Sequence, residues 1–256
     1  MLTVEELSFA YRTKQVLKNV NLKLQTGQMI CVLGENGSGK TTLFRCLMGL
    51  LQPQNGRIFY DDMNIKHMSE RKLATQVAYI PQSHIPIFNF LTEDVVMMGA
   101  ASRIGLFQAP GERERKRAKR LMECIGIEHL IGCGYAEISG GERQLVLIAR
   151  ALLSGAKILI MDEPTANLDY GNQQQIVSTM LSLCEKGYSV LVSIHHPQQV
   201  LDMDTDSLIL HQGQVLAMGK TREVVTAELL SKVYHYPIAI EEIERRGRKR
   251  QVCFAE

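Results

Sequence analysis

The sequence predicts an α/β fold with a mainly parallel sheet, an antiparallel β edge subdomain and an inserted α-helical subdomain. Three observations point there. Short β-branched and apolar runs at residues 29–33, 77–80, 157–161 and 189–194 read as buried strands. Helical patterns follow several of these runs, and strand-then-helix alternation layers helices onto a parallel sheet. Between residues 92 and 154 the texture turns helical, which reads as an insert in the alternating core.

At the start of the chain Leu7, Phe9 and Tyr11 alternate with smaller or polar residues, the pattern of an added edge strand. The run 29–33 opens into a glycine-rich segment, and residues 42–51 beyond it are helical in pattern. Within the insert, the charge-dense stretch 112–120 reads as a solvated helix face. Residues 208–210 and 214–218 flank the turn His211-Gln212-Gly213 and are expected to be antiparallel edge strands. The main domain is expected over residues 1–220, with the helical subdomain inserted at about 85–154. Residues 221–256 are expected to form a helical extension ending in the solvated basic tail Arg245-Arg246-Gly247-Arg248-Lys249-Arg250.

Composition narrows the partners. The 256 residues are 45% apolar and 22% charged, with a net charge of only +2, and no basic face interleaved with aromatics advertises a nucleic-acid surface. Apolar runs stop far short of the roughly 20 residues needed to cross a bilayer. The acidic start Met1-Leu2-Thr3-Val4-Glu5-Glu6 lacks a signal-peptide pattern, so a location in the cytosol is expected. Cys31, Cys46, Cys124, Cys133, Cys184 and Cys253 are scattered without a C-x-x-C pair and read as reduced thiols, neither disulfides nor metal ligands.

The chemistry begins at Gly34-Glu35-Asn36-Gly37-Ser38-Gly39-Lys40-Thr41, which matches G-x-x-x-x-G-K-[ST] between a strand and the helical run that starts at Thr42. Dense negative charge on phosphates requires a tight turn with backbone N–H groups aimed inward, which Gly34, Gly37 and Gly39 permit. The helix N-terminus behind the loop adds a favourable dipole. Lys40 is expected to reach the β- and γ-phosphates and the Thr41 hydroxyl to ligate Mg²⁺. The expected core is therefore a P-loop NTPase of RecA-like type.

Residues 157–161 then end in Asp162 and Glu163, at the strand terminus where α/β proteins build their sites. Alone, such a pair is more often a cap or a loop edge. Beside a phosphate loop, Asp162 is expected to act through the Mg²⁺ shell and Glu163 to hold and polarise the attacking water. Ser139-Gly140-Gly141-Glu142 reads first as a capping box. Two consecutive glycines exceed what capping needs, and they leave bare N–H groups suited to a γ-phosphate.

Ile138-Ser139-Gly140-Gly141-Glu142-Arg143-Gln144 resembles the signature of ABC-type ATPases, with Ile138 and Glu142 in place of the usual Leu and Gln. On that resemblance, which covers about residues 1–220, Gln82 looks like the Q-loop glutamine and a further Mg²⁺ ligand. Asn167-Leu168-Asp169 looks like the D-loop, and His195 looks like the switch histidine in preference to His196. Tyr11 would stack on adenine, with Phe9 on the same strand as the competing aromatic.

The resemblance implies ATP and Mg²⁺ as cofactors and a head-to-tail homodimer in which each ATP lies between one phosphate loop and the partner's 139–144 segment. It also implies integral-membrane permease subunits, a substrate-binding protein in the full system, and a peripheral place on the cytoplasmic face of the inner membrane. The segment Phe90-Leu91-Thr92-Glu93-Asp94-Val95-Val96-Met97-Met98-Gly99 resembles ATPases of importers for metal chelates such as iron–siderophore, haem and cobalamin, or for oxyanions such as molybdate. It is the expected docking surface. An exporter or lipoprotein-releasing system is the alternative. A GTPase is disfavoured by the lack of N-K-x-D, and DNA-repair or ribosome-acting ATPases by the lack of a long coiled-coil insertion or a second ATPase domain.

Overall fold

A computed structural model describes residues 1–82, 88–104, 110–245 and 247–256. Period-two burial near the N-terminus builds an antiparallel sheet. In β1 (Leu2–Tyr11) the side chains of Leu2, Val4, Leu7 and Phe9 turn inward while their neighbours face out. It pairs with β2 (Lys14–Leu24) and β4 (Asn55–Tyr60), and β5 (Met63–Asn64) extends the order to β2-β1-β4-β5.

The central sheet is built differently, from strands buried on both faces. β3 (Met29–Leu33), β7 (Ile158–Asp162) and β8 (Ser189–Ser193) are buried at every residue. With β6 (Val77–Ile80), β9 (Asp206–His211) and β10 (Gln214–Lys220) they form a sheet ordered β10-β9-β3-β8-β7-β6. Its pairings are parallel except for β9 with β10. The expected antiparallel pair is present, added at one edge of this sheet. Only β10 is an antiparallel edge, while β9 runs parallel to β3 and is buried from Ser207 to His211, as a strand covered on both faces must be.

Two cores follow from the alternation. Ile30, Val32, Ile160 and Leu191 point to one face and pack with Leu43, Phe44 and Leu47 of α1 (Lys40–Leu47) and with the antiparallel sheet. Cys31, Leu33, Met161 and Val192 point to the other face, toward α3 (Thr92–Met97), α5 (Gly140–Leu153), α6 (Tyr170–Glu185) and α7 (Pro197–Met203). α2 (Glu70–Ala74) leads into β6. α4 (Glu112–Cys124) buries only Ala118 and Met122, which leaves its charged face in solvent. The insert is fastened by α3, whose Thr92 hydroxyl donates to the Leu130 carbonyl at 2.6 Å, while Glu93 accepts from the Gly132 N–H at 2.8 Å.

Beyond β10, α8 (Thr221–Val224) and α9 (Ala227–Tyr234) supply the expected helices. Lys249 and Arg250 of the basic stretch are exposed, as expected, but they belong to a strand and not to a free tail. β11 (Ile238–Arg245) and β12 (Arg248–Ala255) form an antiparallel hairpin. The reason is apolar anchorage: Ile238, Ile240 and Cys253 pack against the main core. Gln198 of α7 also accepts from the Cys253 N–H at 2.7 Å and donates to the Gln251 carbonyl at 3.1 Å.

Candidate nucleotide-binding site

β3 ends at Leu33, and the glycine-rich loop turns directly into α1. Gly34 must be glycine on steric grounds, because a Cβ there would collide with the Leu210 carbonyl of neighbouring β9. Gly39 stands at φ 111°, a left-handed conformation that glycine adopts without a Cβ penalty. As the N-cap it offers no side chain, so the first N–H groups of α1 keep the capacity to bind an anion. Ser38 Oγ is buried with no hydrogen-bond partner among the described residues.

Lys40 is almost completely buried and its Nζ donates to the Gly34 carbonyl at 2.7 Å and the Glu35 carbonyl at 3.0 Å. Burial pulls its pKa below the ordinary lysine value, opposed by the nearby charges of Glu163, Asp162 and Glu35. An incoming phosphate would replace neutral acceptors with charged ones, the stronger kind of hydrogen bond. Lys40 looks onto a cleft of about 510 Å³ that is also lined by Tyr11, Asn36, Gly37, Gly39, Thr41, Thr42 and Glu163. Tyr11 is 42% exposed at its mouth, whereas Phe9 is 7% exposed and sits in the inter-sheet core with its ring centroid 4.8 Å from that of Tyr11. Of the two aromatics, Tyr11 is the one that faces the cleft.

The strand ends bring the carboxylates to the same place. Asp162 accepts from Thr41 at 3.1 Å, from Tyr79 at 3.2 Å and from Ser193 at 2.6 Å. Ser193 Oγ in turn accepts the Glu163 N–H at 2.9 Å, so β8 fixes the backbone at the end of β7. Glu163 stands at φ 49°, a conformation costly for a residue with a Cβ and one that recurs at functional sites. Its carboxylate meets the imidazole Nε2 of His195, which lies two residues past β8. Sequence reasoning does not find Tyr79 or Ser193. The available signal was a polar side chain at or near the end of each otherwise apolar strand.

A second cluster lies apart from the cleft lining. Ser139 caps α5: its Oγ accepts the Glu142 N–H at 3.3 Å, and Glu142 accepts the Ser139 N–H at 2.8 Å. Those bonds from Ser139, helped by His129 with Nε2 3.5 Å from Glu142, hold the Glu142 carboxyl below the usual range. Asp169 caps α6 through the Asn172 N–H at 2.8 Å and takes the Asn172 side-chain amide at 2.7 Å. Asn172 lies so close to Gly141 that a Cβ there would sit 2.5 Å from its side chain, and Leu168 covers Gly140. The segments 139–142 and 167–172 are therefore one packed unit. Gln82 follows β6, whose Ile80 pairs with Met161, so it leaves the sheet at the end where Asp162 stands. It is exposed there.

A glycine-lined loop at a helix N-terminus, with a buried lysine, a hydroxyl and two consecutive carboxylates at the end of a nearby strand, defines a P-loop nucleoside triphosphatase. The chain belongs to the ABC transporter family, whose sequence pattern matches residues 17–166. It is 36% identical over 91% of its length to an uncharacterized ABC transporter ATP-binding protein of Haemophilus influenzae, covering 89% of that protein. A probable iron chelatin transport ATP-binding protein of Helicobacter pylori is 35% identical, with 93% of this chain and 94% of the relative aligned. Among solved structures, a metal-chelate type ABC transporter in an inward-facing conformation superposes with a TM-score of 0.89 at 29% identity, over 100% of this chain and 97% of the other. The protein is thus an ATP-binding ATPase subunit of a transporter. Among the described residues no helix is long and apolar enough to cross a membrane.

Proposed function

We propose that the chain couples ATP-driven closure and opening of a homodimer to uptake of a metal chelate or oxyanion through separate permease subunits. The observation carrying this reading is the separation of the two clusters. One chain presents a phosphate cleft lined by Lys40 and Glu163, and elsewhere a capped, glycine-bearing helix start at Ser139, Gly140 and Gly141. A second copy placed head to tail would bring its helix start to the γ-phosphate, where bare N–H groups suit an anion.

In this scheme Tyr11 stacks on the base, the amides of Asn36, Gly37, Ser38 and Gly39 hold the phosphates, and Lys40 exchanges its two carbonyl partners for phosphate oxygens. Thr42, in the first turn of α1, lines the same cleft and offers its N–H to the phosphates. Thr41 and Asp162 present hard oxygen donors already 3.1 Å apart, a set that fits Mg²⁺, with Gln82 completing it. Bound there, Mg²⁺ would neutralise charge on the phosphates. Glu163 holds and polarises the water, His195 orients that carboxylate and contacts the terminal phosphate, and Asp169 reaches across the closed dimer. Loss of the γ-phosphate removes the link between copies and permits opening, because a ligand shifts an equilibrium only by its differential affinity for the two states.

The ATPase cassette is assigned to residues 1–220, with the insert as the part that faces the permease. Val95 and Val96 of the segment Phe90 to Gly99 are core, while Phe90, Leu91 and Met98, together with Phe88, remain exposed as an apolar docking surface. A substrate-binding protein outside the membrane and a peripheral position on the cytoplasmic face complete the system. Sedimentation of the purified Glu163→Gln chain tests the core of the reading. ATP should drive it into a stable dimer with hydrolysis reduced by roughly a hundredfold or more. A chain that stays monomeric at saturating ATP, or that hydrolyses at the wild-type rate, would overturn it.

A further inference from the structure

The segment that follows β10 lies outside residues 17–166, the part matched by the family pattern. It nevertheless touches both sides of the hydrolytic site. At the end of α9 the Tyr234 phenol donates to the backbone carbonyl of His195 at 3.1 Å. Burial pushes the Tyr234 pKa up to about 12, so the phenol remains a neutral donor at physiological pH. The next residue, His235, stands at φ 54°, a left-handed conformation that ends α9. Its Nε2 lies 3.5 Å from Glu35 Oε2, and the other Glu35 oxygen lies 3.1 Å from His211 Nδ1, close in distance though outside hydrogen-bond geometry. The Glu35 carbonyl is one of the two that hold Lys40. Further along, the hairpin grips α7 through Gln198, three residues past His195.

We propose that Tyr234 is a positioning residue for ATP hydrolysis, with His235 and Gln198 completing a C-terminal brace that fixes the His195 loop against the phosphate loop. A carbonyl pinned by a phenol cannot rotate freely, so the imidazole on the same residue keeps its contact with Glu163. The inference rests on the assignment of His195 and Glu163 made above. Loosening the brace should lower the chance that Glu163 and His195 are correctly placed at the moment of attack, and should leave the binding of ATP alone.

Steady-state ATPase assays on the full-length chain decide this, with Tyr234→Phe, Gln198→Ala and His195→Ala compared in parallel. Tyr234→Phe removes one hydroxyl and keeps the ring. Loss of that single hydrogen bond should lower kcat about fivefold with the KM for ATP unchanged and the melting temperature lowered by no more than about 2–4 °C. Gln198→Ala, which removes both hydrogen bonds from that side chain to the hairpin, should act in the same direction. If Tyr234→Phe turns over at the wild-type kcat while His195→Ala loses activity, the brace is refuted and the histidine assignment stands. A larger fall in melting temperature accompanied by a raised KM for ATP would reduce Tyr234 to a packing role and also refute the proposal. Wild-type turnover by His195→Ala would instead overturn the assignment on which the brace depends.

Discussion

The phosphate-loop cleft and the 139–172 cluster are both glycine-bearing helix starts, yet they are wired in opposite ways. Around the cleft, polar groups are buried and joined between segments far apart in the sequence: Asp162 gathers bonds from α1, β6 and β8, and Lys40 is held by two carbonyls. In the 139–172 cluster the bonds are short-range caps, Ser139 with Glu142 and Asp169 with Asn172, and both lie at the surface. Buried networks fix a geometry in advance and are costly to break. Exposed caps merely hold a helix end in shape. The first arrangement suits a site that one chain completes for binding, and the second suits a surface offered to another molecule.

Substitutions in each region test that contrast. The largest effect is expected for Lys40→Ala, which should weaken ATP binding by about two orders of magnitude, since it removes charge-assisted hydrogen bonds to phosphate. Titration with a fluorescent ATP analogue would show it, and wild-type affinity would mean that the cleft does not carry binding. Gly141→Ala should act differently. Its Cβ would sit 2.5 Å from Asn172 and displace either the α5 start or the 167–172 segment. Turnover should then fall by about tenfold with ATP affinity of the single chain preserved, because the interactions lost are ones made only in the reacting complex. An equal drop in affinity would erase the distinction between the two regions.

The smallest effect concerns the α5 cap. Ser139→Ala should cost about 1 kcal/mol of stability, the usual value for loss of an N-cap. Glu142 has a folded pKa below its unfolded one, so its contribution is present above the unfolded pKa and disappears as pH falls through the folded value. Chemical denaturation should therefore show the stability gap between wild type and Glu142→Ala closing on acidification below the ordinary carboxylate range. A gap that persists unchanged at low pH would show that the carboxylate does not act through its charge.

Much of this was legible in the sequence because the relevant signals are local. Residues 29–33, 77–80 and 189–194 read as strands from apolar runs, and the loop 34–41 stands where a strand gives way to a helix. What stayed hidden is what long-range packing decides. Residues 208–210 look like half of a hairpin, and β9 does meet β10 across the Gln212-Gly213 turn, but its other edge adds to β3. The run Arg245 to Arg250 carries the charge of a solvated tail, while the apolar residues that anchor the hairpin, Ile238, Ile240 and Cys253, flank it on both sides.

By itself the sequence determined the phosphate loop, the two carboxylates and the order of the segments around them, because each is a short pattern whose chemistry depends on neighbours along the chain. Only the tertiary structure decided that Ser193 and Tyr79 hold Asp162, that Tyr11 and not Phe9 opens onto the cleft, and that Tyr234 reaches the His195 carbonyl. Those contacts join residues dozens of positions apart or turn on which face of a strand is buried. Both depend on how strands stack into a sheet, a choice made by the whole core at once.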